Sequence, residues 1–171
     1  MDLAGLTAFI VAAKRATYVG GGHPAPASRL GAHDLVFEDG TFAYRDSYFG
    51  GTDFLGEEVV WQTRGWSSQR FDDGSIQSKE NGIPVWAMNY YGYVLRPDLI
   101  DAGRAGATIK AALSAMYAEG RFLGGFDWQG PHGSYVDRSE GDAAHFHGRE
   151  QILVGGIEAY ALDYHGGLIK P

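Results

Sequence analysis

The chain has 171 residues, 44% apolar and 20% charged, which suits one domain with its own core and argues against wholesale disorder. A formal charge of −7, with 14 basic residues scattered along the chain, offers no basic stripe for direct contact with nucleic acid. There is no cysteine, so disulfides, thiol catalysis and thiolate metal sites are excluded, and no apolar run approaches the roughly twenty residues of a membrane span.

The 26 glycines, ten tyrosines, nine phenylalanines and four tryptophans favour twisted strands and tight turns over a helical bundle. Asp2 stands early, with no basic stretch ahead of an apolar core, so no signal peptide is expected and the protein is expected in the cytoplasm. Residues 2–15 form the first element. Asp2 can cap a helix in which Leu3, Leu6, Phe9, Ile10 and Ala13 recur at helical spacing, with Lys14 and Arg15 near the C-terminal end. Gly20-Gly21-Gly22 then break it. A phosphate cradle would precede its helix and carry a Lys-Ser/Thr pair, so these glycines read as a loop.

His33–Asp39 and Thr41–Tyr48 read as a hairpin turned at Asp39-Gly40. Its second strand puts Phe42, Tyr44, Asp46 and Tyr48 on one face. Residues 52–63 make a third strand. Glu57 and Glu58 are adjacent there and so point to opposite faces, one inward and one outward, which argues against a glycosidase pair. Residues 64–82 are polar and turn-rich and read as an extended hairpin tip with Asp73-Gly74 at its turn; 83–95 is the returning strand. A helix follows from Pro97-Asp98 to Glu119, interrupted near Gly103–Gly106, with Ile109, Ala112, Leu113 and Met116 as its apolar stripe. Three strands, about 121–128, 143–154 and 157–165, complete the chain. The string AYRDSYFGG (43–51) aligns with AYALDYHGG (159–167), which suggests two helix-plus-hairpin halves with Phe49 and His165 equivalent.

The candidate ligand-binding residues are His165, Tyr91, Asn89, Asp46, Tyr48, Glu57, Glu58 and Trp86. His165 leads, standing between Tyr164 and Gly166-Gly167, where small residues permit close approach. The tyrosines and Trp86 supply apolar faces with polar tips, suited to a small polar or aromatic ligand. A metal site is the alternative. His145 and His147 share one strand face and, with His165 and Glu150, approximate a cupin-type set, although Glu150 should point to the opposite face unless Gly148 bulges the strand. No nucleophile elbow, zinc-helix motif or dinucleotide fingerprint is present, so no catalytic residue and no cofactor is named.

The strings RATYVGGG, SYFGG, FLGEEVVW, PVWAMNYYG and YHGGLI resemble an uncharacterised bacterial and archaeal domain-of-unknown-function family, over about residues 9–169. Members occur alone or behind a helix-turn-helix domain in proteins labelled as transcriptional regulators. The resemblance implies a sensor module and brings no catalytic residues. This chain departs from it in its long 64–82 segment and in carrying no DNA-binding part.

The expectation is therefore an α+β domain over residues 1–171, a twisted antiparallel sheet with two helices on one face. Its first function is small-ligand binding in an aromatic-lined cleft. An enzyme using His165 with a carboxylate or a His-based metal site is the second reading, and a homodimer joined through its aromatic face is the third.

Overall fold

A computed structural model describes residues 2–22, 24–63, 68–70, 76–78 and 82–170. The Asp2 carboxylate accepts hydrogen bonds from the backbone N–H groups of Ala4 and Gly5, both 3.1 Å, and caps helix α1, Leu3–Lys14. Beyond Lys14 the helix widens into one π-helical turn, Arg15–Val19, before Gly20. Such turns change the face a helix presents and recur at functional sites.

The strands are β1 Pro24–Ala25, β2 His33–Asp39, β3 Phe42–Gly50, β4 Phe54–Thr63, β5 Ser68–Arg70, β6 Ile76–Ser78, β7 Gly82–Val94, β8 Phe126–Gly130, β9 Gly133–Asp142, β10 His145–Val154 and β11 Ile157–Leu168. Helix α2, Ala102–Ala118, lies between β7 and β8 in the chain. Nine strands form one antiparallel sheet in the order β1-β2-β3-β4-β7-β11-β10-β9-β8, so the expected α+β class holds. β5 and β6 pair with each other as a separate antiparallel ribbon. The turn expected at Asp73-Gly74 lies outside the described residues.

Two expectations need correction. Helix α2 runs unbroken through Gly103 and Gly106, capped by Asp101, whose carboxylate accepts from the Arg104 backbone at 2.8 Å. Each glycine costs a helix about 1 kcal/mol, and burial of Ala105, Ile109, Ala112, Leu113 and Met116 outweighs that. The second correction is β9, a strand the sequence reading left out. Its residues look polar because one of its two buried side chains, Tyr135 and Asp137, is an acid.

The strand order exposes a duplication. Helix α1 with β2, β3, β4 and β7 matches α2 with β8, β9, β10 and β11, and β7 meets β11 antiparallel at the seam. Asp46 pairs across strands with Glu58, and Gly56 with Tyr90; in the second half Asp137 pairs with Glu150, and Gly148 with Tyr164. The Tyr90 hydroxyl donates to Asp46 at 2.6 Å, and the Tyr164 hydroxyl to Asp137 at 2.7 Å. Even the register slips correspond, at Val60/Trp61 and at Ile152/Leu153. Gly50 and Gly141, each four residues after its aspartate, have φ of +94° and +92°. The echo between 43–51 and 159–167 is therefore not the repeat. It aligned β3 with β11, the second and fourth main strands of their halves, so Phe49 and His165 are not equivalent.

Both helices cover the same face of the sheet. At its centre Trp86 is fully buried, stacks on Phe146 at 5.9 Å and donates its indole N–H to the Ala143 carbonyl at 3.0 Å. Tyr90 and Tyr164 lie across Gly56 and Gly148, where a Cβ would strike the ring. Gly56→Ala and Gly148→Ala should each lower the unfolding free energy by about 1–3 kcal/mol through overpacking. Gly106→Ala, whose Cβ would meet nothing within 4 Å, should raise it by about 1 kcal/mol. Urea denaturation of the three variants checks both signs.

Candidate functional site

Strand alternation sends Glu58 inward, and β3 places Asp46 directly across from it. Lys14, four residues after Ile10 on the buried face of α1, comes down on Glu58. Its Nζ lies 2.6 Å from Glu58 Oε1, 3.4 Å from Met88 Sδ and 5.6 Å from the centre of the Phe122 ring. Lys14 and Glu58 are both 6% exposed, so this is a buried ion pair.

Beside the pair, between the helices and the sheet, lies a cavity of about 290 Å³. Asp46, Glu58 and Glu150 line it, Lys14 edges it, and Tyr18, Tyr44, Tyr48, Phe54, Tyr90, Tyr117 and Tyr160 form most of its aromatic wall. Helix α2 contributes small residues, Ala102, Ala105 and Gly106. Glu58 Oε2, Glu150 Oε2 and the Tyr160 hydroxyl are buried here with no hydrogen bond of good geometry among the described residues, although the Tyr44 hydroxyl lies close to Glu58 and the Tyr135 hydroxyl close to Glu150. Buried polar groups are usually satisfied, so these atoms want an explanation.

Burial, and then the neighbouring Glu58 charge, pushes the Asp46 carboxyl up to about 7, even against the Tyr90 hydrogen bond. Burial, with the Asp137 charge second, pushes Glu150 up to about 8. Burial and the same carboxylates raise the phenols of Tyr44, Tyr90 and Tyr117, so these tyrosines stay protonated donors. The site thus presents hydroxyl donors, two carboxyls that exchange protons near neutrality, and one ammonium already engaged.

The residues singled out from sequence fall on two faces. Asp46, Tyr48 and Glu58 line the cavity. Trp86 belongs to the core beside it. Glu57, Asn89 and His165 are cross-strand neighbours on the outer face, away from the helices, with Tyr91 near them. There Glu57 pairs with Arg29 at 3.1 Å, Tyr91 is 46% exposed and stacks on Tyr93, and Asn89 and His165 are exposed. The reason is parity: Tyr164 and Tyr90 face inward, so His165, Asn89 and Tyr91 must face outward.

The alternative metal set is also divided. His147 sits opposite His165 on the outer face, exposed like His145, and its Nε2 is 3.8 Å from Glu140. The strand has no bulge at Gly148, so Glu150 points into the cavity on the other side. Among the described residues no group of three or more His, Asp or Glu side chains is arranged to hold a metal ion. The aromatic face proposed as a dimer surface is covered by the helices, and Tyr44, Trp86 and Tyr164 on it are buried.

Sequence reasoning missed Lys14, Tyr18, Tyr117 and the inward role of Glu150. Two signals were available. Lys14 follows Ile10 by one helical turn, on the buried side. The signature Tyr-x-Asp, Gly-x-Glu, Tyr-x-Gly occurs twice in order, at Tyr44, Asp46, Gly56, Glu58, Tyr90, Gly92 and at Tyr135, Asp137, Gly148, Glu150, Tyr164, Gly166.

Fold and site together define an α+β domain with an acidic, aromatic cavity beneath its helices, bordered by the exposed residues Gly50, Gly51 and Thr52. The chain belongs to the family of the domain of unknown function DUF5680, whose profile matches residues 46–169. That match includes Asp46, Glu58, Tyr90 and Glu150, while Lys14 and Tyr18 precede it. No curated protein and no solved structure matches the chain. Among the described residues no helix is long and apolar enough to cross a membrane.

Two outcomes follow from the electrostatics. Removing Lys14 leaves Glu58 buried without a cation, so Lys14→Met should destabilise by about 3–5 kcal/mol, and Lys14→Met with Glu58→Gln should recover most of it; denaturant titration measures both. In the unfolded chain Asp46 and Glu150 lose protons near pH 4, whereas folding holds those protons to about 7 and 8. The folded state therefore binds more protons across this window. Stability of the ligand-free protein should be greatest at its acid side and fall as pH rises from about 5 to 8, a slope that Asp46→Asn with Glu150→Gln flattens in thermal melts.

Proposed function

We propose that the protein binds a small organic molecule in the cavity between its helices and its sheet. One observation carries this reading: a cavity of about 290 Å³ is walled by aromatic rings together with Asp46, Glu58 and Glu150. The volume is near the lower end of the roughly 300–1,000 Å³ common for small-molecule sites, and a mostly apolar wall with a few fixed polar groups is their usual composition. The ligand acts as a signal, and the domain works as a cytoplasmic sensor module. The family resemblance supports that role for domains found behind a helix-turn-helix.

A second reading rests on Asp46 and Glu150, two carboxyls that titrate near neutrality in one cavity. Such a pair is suited to general acid–base work on a bound substrate. In that reading His165 takes no part, because it lies on the other face of the sheet.

Gly106 provides a direct test, because its Cβ position is open and it lines the cavity. Gly106→Phe should fill the void, keep the fold and abolish the fluorescence gain of the neutral apolar probe N-phenyl-1-naphthylamine seen with the unmodified protein. Equal binding by both proteins would contradict the proposal.

A further inference from the structure

The two halves of the duplicated fold treat their glutamates differently. Glu58 and Glu150 occupy equivalent positions: each lies two residues after a glycine crossed by a tyrosine, and each is paired across strands with a buried aspartate. Helix α1 brings Lys14 onto Glu58. Helix α2 brings no cation to Glu150, since Arg104 pairs with Asp101 at the helix start and Lys110 is exposed. Among the described residues no basic side chain forms an ion pair with Glu150. Where α2 faces the cavity it carries Ala102, Ala105, Gly106, Ile109 and Tyr117, none of them a cation, and its first turns are small enough to leave space there.

Resting on the cavity reading above, we infer that the ligand is a small organic cation, an amine with an aromatic or apolar body, whose charged head pairs with Glu150 as Lys14 pairs with Glu58. The one ammonium on the cavity wall is already engaged by Glu58, so the cavity offers an anion no free cation to pair with. A neutral ligand would leave Glu150 without the partner its counterpart has. Glu150 lines the cavity and is partly accessible there, so its carboxylate can accept from an ammonium N–H. The ring faces of Tyr18, Tyr48 and Phe54 can carry the body of the molecule and favour the positive charge.

The test is calorimetric titration of three molecules with one aromatic body: 2-phenylethylamine, 2-phenylethanol and 3-phenylpropionate. The unmodified protein, Glu150→Gln and Gly106→Phe are compared. Glutamine reproduces the neutral carboxyl in shape, and thermal melts confirm that each variant is folded. The amine should bind in preference to the alcohol and the propionate. Glu150→Gln should weaken the amine by about tenfold or more, the worth of a charge-assisted hydrogen bond, with little change for the alcohol. If the alcohol or the propionate binds as well as the amine, or the amine binds Glu150→Gln unchanged, while Gly106→Phe still blocks binding, the cation is overturned and the cavity stands. If none of the three binds, or binding survives Gly106→Phe, the cavity reading falls with it.

Discussion

The buried ion pair between Lys14 and Glu58 fixes the relation between the first helix and the sheet. Two charges lose their hydration there, and an ion pair at 2.6 Å with Met88 and Phe122 against the lysine is what makes that burial tolerable. Lys14 is the last residue of α1, so the pair pins the C-terminal end of the helix over β4 and β7. The π-helical turn begins at the next residue and delivers Tyr18 to the cavity wall. Helix position, cavity and charge balance therefore hang on one contact.

Duplication explains why the other half looks similar and behaves differently. Both halves build the same floor, with an aspartate held by a tyrosine that crosses a glycine, and a glutamate beside them. The high glycine content partly reflects this arrangement, since a Cβ at Gly56, Gly92 or Gly148 would strike a tyrosine. What differs is the roof. One helix carries a lysine, while the other lines the cavity with Ala102, Ala105, Gly106, Ile109 and Tyr117 and brings no cation to Glu150. In the ligand-free state burial and the Asp137 charge hold Glu150 up to about 8, more than the Lys14 charge, engaged by Glu58, offsets.

Much of the fold was legible because the signals were local. Asp2 as a cap, Asp39-Gly40 and Gly155-Gly156 as turns, and alternation through β3, β4 and β7 all follow from neighbouring residues. Strand β9 was not, because one of the residues it buries is an acid, and burial of Asp137 depends on Tyr164 from a strand about 27 positions away. Glu57 and Glu58 could be assigned to opposite faces from sequence, but which one faced inward required the helices. His165 drew attention through its neighbours, the adjacent tyrosine and the paired glycines, although the inward tyrosine itself fixes the histidine outward. Lys14 read as a complement to the helix dipole because its partner stands 44 residues away, beyond any local pattern.

The state of Glu150 joins the fold to the proposed chemistry. Carbon-13 NMR of the side-chain carboxyl, assigned by comparison with Glu150→Gln, would follow its ionisation in the ligand-free protein. A midpoint near 8 would show a buried acid held neutral for want of a cation. A midpoint near 4, the ordinary value for an exposed glutamate, would mean that water reaches it freely and would contradict this account of the cavity.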